Sequence, residues 1–129
     1  MTINSGISIT VPSSRTLNIV NGLTVAPTAS LTFDNHSALV QTNNTAGINS
    51  GNITYKRIAS QIRLADFTYW STPVSPQRLI DVSPLTMSDK YFGFNGDNWI
   101  ATNRTNNMVV GKGYIIRGPQ TYSTTVKAD

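Results

Sequence analysis

Seven aromatic residues in the second half of the chain, Tyr69, Trp70, Tyr91, Phe92, Phe94, Trp99 and Tyr114, have the clearest capacity for chemistry, and that chemistry is binding. Flat rings present apolar area, and Tyr and Trp add a polar handle, a combination suited to stacking on sugar rings. Asn95-Gly96-Asp97-Asn98 places hydrogen-bonding groups directly before Trp99. A carbohydrate site, if the chain carries one, is therefore expected at Trp99, Asp97, Tyr69 and Trp70. Trp99 is the best placed, because a side chain beside a loop tip can be presented without dismantling a sheet. Successive residues of a strand alternate faces, so Tyr69 and Trp70 cannot both point inward. The competing use of these rings is ordinary core packing.

Covalent and acid–base chemistry has much less to draw on. The chain has no cysteine, which removes thiolate nucleophiles, thiolate metal sites and disulfides, and it has no glutamate. Its single histidine, His36, lies in Asp34-Asn35-His36-Ser37 between two expected strands and reads as a solvated turn residue. A general base needs a nucleophile and an orienting carboxylate converging on it. The aspartates Asp34, Asp66, Asp81, Asp89, Asp97 and Asp129 are widely spaced, whereas glycoside hydrolysis needs two carboxylates opposed across a sugar. Asn95-Gly96-Asp97-Asn98 offers oxygen ligands but lacks the spacing and distal glutamate of a calcium loop. Gly111-Lys112-Gly113 lacks the upstream glycine and following hydroxyl of a phosphate loop, and it runs into a β-branched stretch where that motif needs a helix. Outward-facing Thr10, Thr24 and Thr32 could order water, but Asn18 interrupts the row. No catalytic residue, metal site or cofactor is expected.

Charge and length narrow the partners. Charged residues are only 12% of the 129, and the formal net charge is +4. Lys56-Arg57 is the one adjacent basic pair, so the continuous basic stripe that phosphate tracking requires is missing and nucleic acid is not an expected partner. No apolar run reaches the roughly 18 residues of a membrane span, and Met1-Thr2-Ile3-Asn4 does not open a signal peptide. Membrane insertion is not expected.

These residues must be positioned by strands. Ile9-Thr10-Val11, Leu17-Asn18-Ile19, Leu23-Thr24-Val25 and Leu31-Thr32-Phe33 alternate with period two, and the first pair recurs about fourteen residues later as the second. This predicts a few coils of a β-solenoid over residues 1–41, with the apolar members forming one buried column. The alternative is a hairpin-rich strip of a β-sandwich. Residues 42–51 are almost free of apolar side chains and predict a linker. Residues 52–129 bring aromatics and charges together and predict an antiparallel sheet or sandwich, opening on Asn52-Ile53-Thr54-Tyr55-Lys56-Arg57. Asn95-Gly96-Asp97-Asn98 is the predicted tip of a hairpin between Tyr91–Phe94 and Trp99-Ile100.

Asp66-Phe67-Thr68-Tyr69-Trp70-Ser71-Thr72-Pro73-Val74, Ser83-Pro84-Leu85-Thr86, Asp89-Lys90-Tyr91 and Gly111-Lys112-Gly113-Tyr114-Ile115-Ile116-Arg117-Gly118-Pro119 together resemble a segment of large surface proteins of Bacteroidetes, especially flavobacteria, over about residues 30–120. In those proteins β-solenoid repeats are followed by an aromatic strand region. The resemblance implies export of the parent by the type IX secretion system and display at the cell surface or outside the cell. It implies no catalytic residues. Such proteins normally continue into further β modules and a sorting domain, so secretion is an expectation for the parent.

The sequence thus predicts an all-β chain, a short N-terminal β-solenoid segment followed by an antiparallel unit. Its expected role is a non-enzymatic structural or adhesive module of a surface protein. Carbohydrate binding through exposed aromatics is the alternative, and a fragment of a secreted glycan-active enzyme is the third reading. Expected partners are the remainder of the parent protein, glycans, and other copies meeting at exposed sheet edges.

Overall fold

A computed structural model describes residues 1–43, 45, 48–59, 62–63 and 65–121. The chain is nearly all β and divides into two compact units, 1–58 and 59–129.

The first unit is a parallel β-solenoid. Strands β1 (Thr2–Ile3), β2 (Ser8–Val11) and β3 (Thr16–Ile19) form one coil, and β4 (Thr24–Val25), β5 (Ser30–Phe33) and β6 (Ala38–Gln41) form the next. Each strand pairs in parallel with the equivalent strand of the following coil: Thr2 faces Thr24, Ser8 faces Ser30 and Thr16 faces Ala38. The coil is therefore 22 residues long by direct subtraction (24 − 2, 30 − 8, 38 − 16). The expected offset of about fourteen is corrected by this register. Ile9 and Leu23, fourteen apart in sequence, sit on different sides of the solenoid, so that spacing measures side to side and not coil to coil.

A third coil is partial, and it corrects the expected boundary. Thr54–Tyr55 (β7) pairs in parallel with Thr32-Phe33, and Ser50 bridges to Thr24. Residues 52–58 thus complete the first unit instead of opening the second, and part of the segment expected as a linker is built into the coil. Asn44, Ala46 and Gly47 of that segment lie outside the described residues. Gly51, with φ +86°, brings the chain so close that a Cβ there would stand 2.0 Å from the Val25 carbonyl oxygen. Only glycine fits both the backbone angle and the approach.

Alternation turns Ile3, Val11, Ile19, Leu23, Val25, Leu31 and Phe33 into the solenoid core, with Ile9, Leu17, Leu39, Ile53 and Tyr55 packed against it. In-register stacking places like on like: Ile9 beside Leu31, Leu17 beside Leu39, and Val11 beside Phe33 beside Tyr55. The Phe33 and Tyr55 rings lie 4.5 Å apart and 8° from parallel. The column expected from sequence is found, though it is shared among the sides of the coil and Ile9 and Leu17 are only half-buried.

The second unit is built on one four-stranded antiparallel sheet in the order β10-β9-β11-β8, where β8 is Phe67–Trp70, β9 Tyr91–Phe94, β10 Trp99–Ala101 and β11 Tyr114–Arg117. No second sheet facing it occurs among the described residues. Its inner face carries Tyr91, Tyr114 and Ile116, closed by Leu79 and Met108, with Trp70 and Val82 against them. Leu79 belongs to the only helix among the described residues, the single turn α1 (Leu79–Val82). It holds to the following loop through backbone bonds Leu79 N to Asn106 O and Ile80 N to Arg104 O.

Leu23 is 4% exposed within the solenoid core. Leu23→Ala is expected to cost about 2–5 kcal/mol in denaturant unfolding, as truncations of buried leucine do; a loss below about 0.5 kcal/mol would contradict the packing described.

Candidate functional site

The outer face of the four-stranded sheet is the candidate site. Register assigns it residue by residue: Tyr69 pairs with Ile115, Ile115 with Phe92, Phe92 with Ala101, Phe94 with Trp99, and Arg117 with Phe67. Paired residues share a face. The outer face therefore carries Phe67, Tyr69, Phe92, Phe94 and Trp99 around Ile115. Tyr69 is 76% exposed and Trp99 37%, and Phe67 and Phe94 are also exposed. Large apolar side chains clustered in water are the informative exception to burial, since scattered ones are ordinary.

The rings touch one another. Phe94 and Trp99 have centroids 5.1 Å apart, Tyr69 and Trp99 5.9 Å, and Phe67 and Phe92 5.9 Å in an edge-to-face arrangement. Tyr69 and Trp99 stand on the two outermost strands, β8 and β10, with β11 and β9 between them. They meet because Trp99 reaches across the sheet: a Cβ added at Gly113 would lie 3.9 Å from the tip of its indole, Cη2. A long side chain at Gly113 would fill the space the indole crosses.

The tip beside Trp99 is the expected hairpin turn. Asn95 N donates to the Asn98 carbonyl at 3.1 Å, and the Asn95 Oδ1 accepts from the backbone N–H of Asp97 at 2.9 Å and of Asn98 at 2.8 Å. Gly96 takes φ +113°, which a side chain would oppose. Asn95 thereby holds the turn from within, while the exposed Asp97 carboxylate makes no hydrogen bond or ion pair among the described residues.

Of the four residues singled out from sequence, the structure brings Tyr69 and Trp99 into contact and places Asp97 in the turn directly before Trp99. Trp70 is separated from them. It pairs with Tyr114 on the opposite face and packs on the inner cluster, so its role there is structural. Sequence reasoning missed Phe67 as a surface ring, although its position two residues before Tyr69 is the signal, since i and i+2 share a face.

The inner face is held by polar contacts that fix β9 and β11. The buried Tyr91 hydroxyl donates to the Ser83 carbonyl at 2.6 Å, and Thr86 Oγ1 donates to the Arg117 carbonyl at 2.6 Å. The Tyr114 hydroxyl accepts from Val109 N at 2.9 Å. Burial pushes the Tyr91 phenol above its ordinary range, partly offset by its hydrogen bond with Thr86 and the charge of Arg104.

The other candidates are spread apart. His36 is exposed with φ +63° in a turn closed by Ser37 N to Asp34 O. Gly111-Lys112-Gly113 is a turn, with Lys112 N bonded to the Val109 carbonyl and Gly111 at φ +79°. Asp81 is paired with Arg78 at 2.7 Å, and Asp89 with Lys90. No group of three His, Cys, Asp or Glu side chains that could hold a metal occurs among the described residues. No helix of the described residues is long and apolar enough to cross a membrane.

Fold and site together define an all-β chain of a parallel solenoid unit and an antiparallel unit with an aromatic outer face. The chain belongs, over residues 1–129, to the family described as Domain of unknown function (DUF8693). No curated protein and no solved structure matches it significantly.

Two expected outcomes separate the faces. Trp70→Ala should cost about 3 kcal/mol in unfolding, whereas Trp99→Ala should cost about 1 kcal/mol or less, since it loses ring contacts but no core. Because the fold favours the neutral Tyr91 phenol, its contribution is fully present below the ordinary tyrosine pKa of about 10 and is lost as pH rises through the higher folded value. Unfolding measured across that alkaline window should show stability falling in the parent protein and a shallower fall in Tyr91→Phe.

Proposed function

We propose that this chain is a non-enzymatic adhesive module of a secreted bacterial cell-surface protein, and that its antiparallel unit engages carbohydrate on the aromatic outer face. The observation that carries the reading is the exposed, contacting row Phe94, Trp99 and Tyr69 beside the hairpin tip that holds Asp97. Rings on a rigid sheet lose little freedom on binding, because their rotamers are already restrained by one another. Sugar rings have apolar faces that match such a platform and hydroxyls that match the free Asp97 carboxylate and the neighbouring Asn98. Binding and not turnover is favoured because, among the described residues, no pair of carboxylates stands across this face, as glycoside hydrolysis would need. The solenoid unit serves as a spacer, a parallel stack whose hydrogen bonds run from coil to coil. Export of the parent by the type IX secretion system is part of the same proposal and rests on the sequence resemblance.

The test is calorimetry and pull-down against a panel of soluble and insoluble polysaccharides. The intact chain should bind at least one, and Trp99→Ala and Tyr69→Ala should each weaken it tenfold or more, about 1.4 kcal/mol, while the melting temperature stays within a few degrees. The same preparation should turn over no glycosidase, esterase or peptidase substrate. Absence of binding across the panel, or binding indifferent to both substitutions, would refute the carbohydrate reading.

A further inference from the structure

One end of the aromatic face carries positive charge. Arg117 pairs with Phe67 of β8, and its backbone N donates to the Lys90 carbonyl at 3.1 Å, continuing the register that sets Ile116 beside Tyr91 and Ile115 beside Phe92. Phe67, Arg117 and Lys90 thus form one row across the outer face, Tyr69, Ile115 and Phe92 the next, and Phe94 and Trp99 the one beyond. Two residues along a strand advance it by about 7 Å, so the cations lie one row from Tyr69. The turn that holds Asp97 lies at the opposite end, beside Trp99.

The charges at that end are not balanced. Asp89 is ion-paired with Lys90, whose hydrogen bond is the main reason the Asp89 carboxyl lies below its ordinary range, and the charge of Arg117 adds the smallest part. Asp66, at the head of β8, turns its carboxylate to the backbone N–H of Arg63 at 2.7 Å. Arg117 itself forms no ion pair among the described residues. Its Nε is buried without a hydrogen-bond partner, and Nη2 reaches only the thioether sulfur of Met87 at 3.1 Å, a weak acceptor. Nη1 has no acceptor among the described residues. Buried polar atoms are normally paired, and a guanidinium is shaped to grip a planar anion through two parallel hydrogen bonds. Arg117 is thus fixed on the sheet with its grip unused.

We propose that Arg117 selects for a uronic acid, gripping the carboxylate of an acidic polysaccharide whose sugar rings lie on the aromatic rows. This rests on the carbohydrate reading and names the class of glycan. Stacking holds a sugar ring but does not choose the direction of the chain, and the charges at the two ends of the face do. A carboxylate is drawn to Arg117 and repelled by Asp97, where the hydroxyls of a neutral sugar fit instead. The bound stretch is therefore one in which a uronate is followed by neutral sugar. A carboxylate fits better than a sulfate ester because it is planar, as the guanidinium is, and is joined directly to the sugar ring, which keeps it at the edge of a stacked sugar.

Calorimetry of the intact chain with hyaluronan, gellan and glucuronoxylan, each beside the same polymer with its carboxyl groups reduced to alcohols, tests this, with dextran sulfate as the sulfate arm. At least one acidic polymer should bind tenfold or more tighter than its reduced form, and added salt should narrow that gap. Arg117→Gln should remove the preference by weakening the acidic form tenfold while leaving the reduced form unchanged. Arg117→Lys keeps the charge without the fork, should lose only part of the preference, and serves if the glutamine variant does not fold. Trp99→Ala should weaken both forms alike, which keeps this test separate from the carbohydrate reading. Equal binding of acidic and reduced forms, still sensitive to Trp99→Ala, would overturn the uronate proposal and leave the carbohydrate reading standing, whereas no binding to any polymer would overturn both. A preference for the acidic form that survives both Arg117 variants, or dextran sulfate bound tighter than every uronate, would also overturn the proposal.

Discussion

Side chains of an extended strand alternate between two faces, and in both units of this chain that single constraint decides what is buried and what is offered to the surroundings. In the solenoid it sends Val11, Leu31 and Phe33 inward and Ser8, Thr10 and Ser30 outward. In the antiparallel unit it divides four consecutive residues, Phe67-Thr68-Tyr69-Trp70, between an exposed aromatic face and a packed one. With only 39% hydrophobic residues, the chain can close a core on one side of each sheet and little more. What is unusual is that the other side of the second sheet is also aromatic, and nothing in the demands of folding explains rings such as Tyr69 in water.

Backbone hydrogen bonding supplies the second level of order. A parallel stack satisfies its peptide groups only through neighbouring coils, so every end is a break in the pattern that has to be dealt with. In the partial third coil, Tyr55 and Asn49 each accept from a backbone N–H of the second coil, Leu39 and Leu23, and Arg57 donates to the Ser37 carbonyl of the turn before β6. Arg57 does two things there, since it also covers the Tyr55 ring, which stacks on Phe33 of the core. The antiparallel unit pairs its strands within one sheet, in the order β10-β9-β11-β8, and uses single hydroxyls, Tyr91, Thr86 and Tyr114, to hold the connecting segments.

Much of this was legible in the residues. The period-two triplets announce strands, and the Asn95-Gly96 pair announces the hairpin, because only certain residues tolerate a positive φ there. The 22-residue coil was also present in the sequence, in Thr2-Ile3 and Thr24-Val25 and in Ser8-Ile9-Thr10-Val11 and Ser30-Leu31-Thr32-Phe33. It was obscured because all sides of a coil use the same apolar-x-apolar pattern, so sides of different coils match one another nearly as well as true neighbours do. The division at residues 41–52 was misplaced for a related reason. A polar, glycine-containing stretch looks like a linker, yet a solenoid turn has the same composition, and Gly51 is there because the chain passes against Val25.

By itself the sequence determined the all-β class, the alternation of each strand, the hairpin turn and the set of rings available for binding, because these follow from local sterics and from residue types. Tertiary structure alone decided which strands became neighbours. That decision set the coil length, brought Tyr69 on one outer strand to Trp99 on the other across the gap at Gly113, and sent Trp70 to the core. Strand pairing joins residues far apart in the chain through backbone groups that every residue carries, so no local pattern records it; it is settled only when whole faces find the partners that bury them.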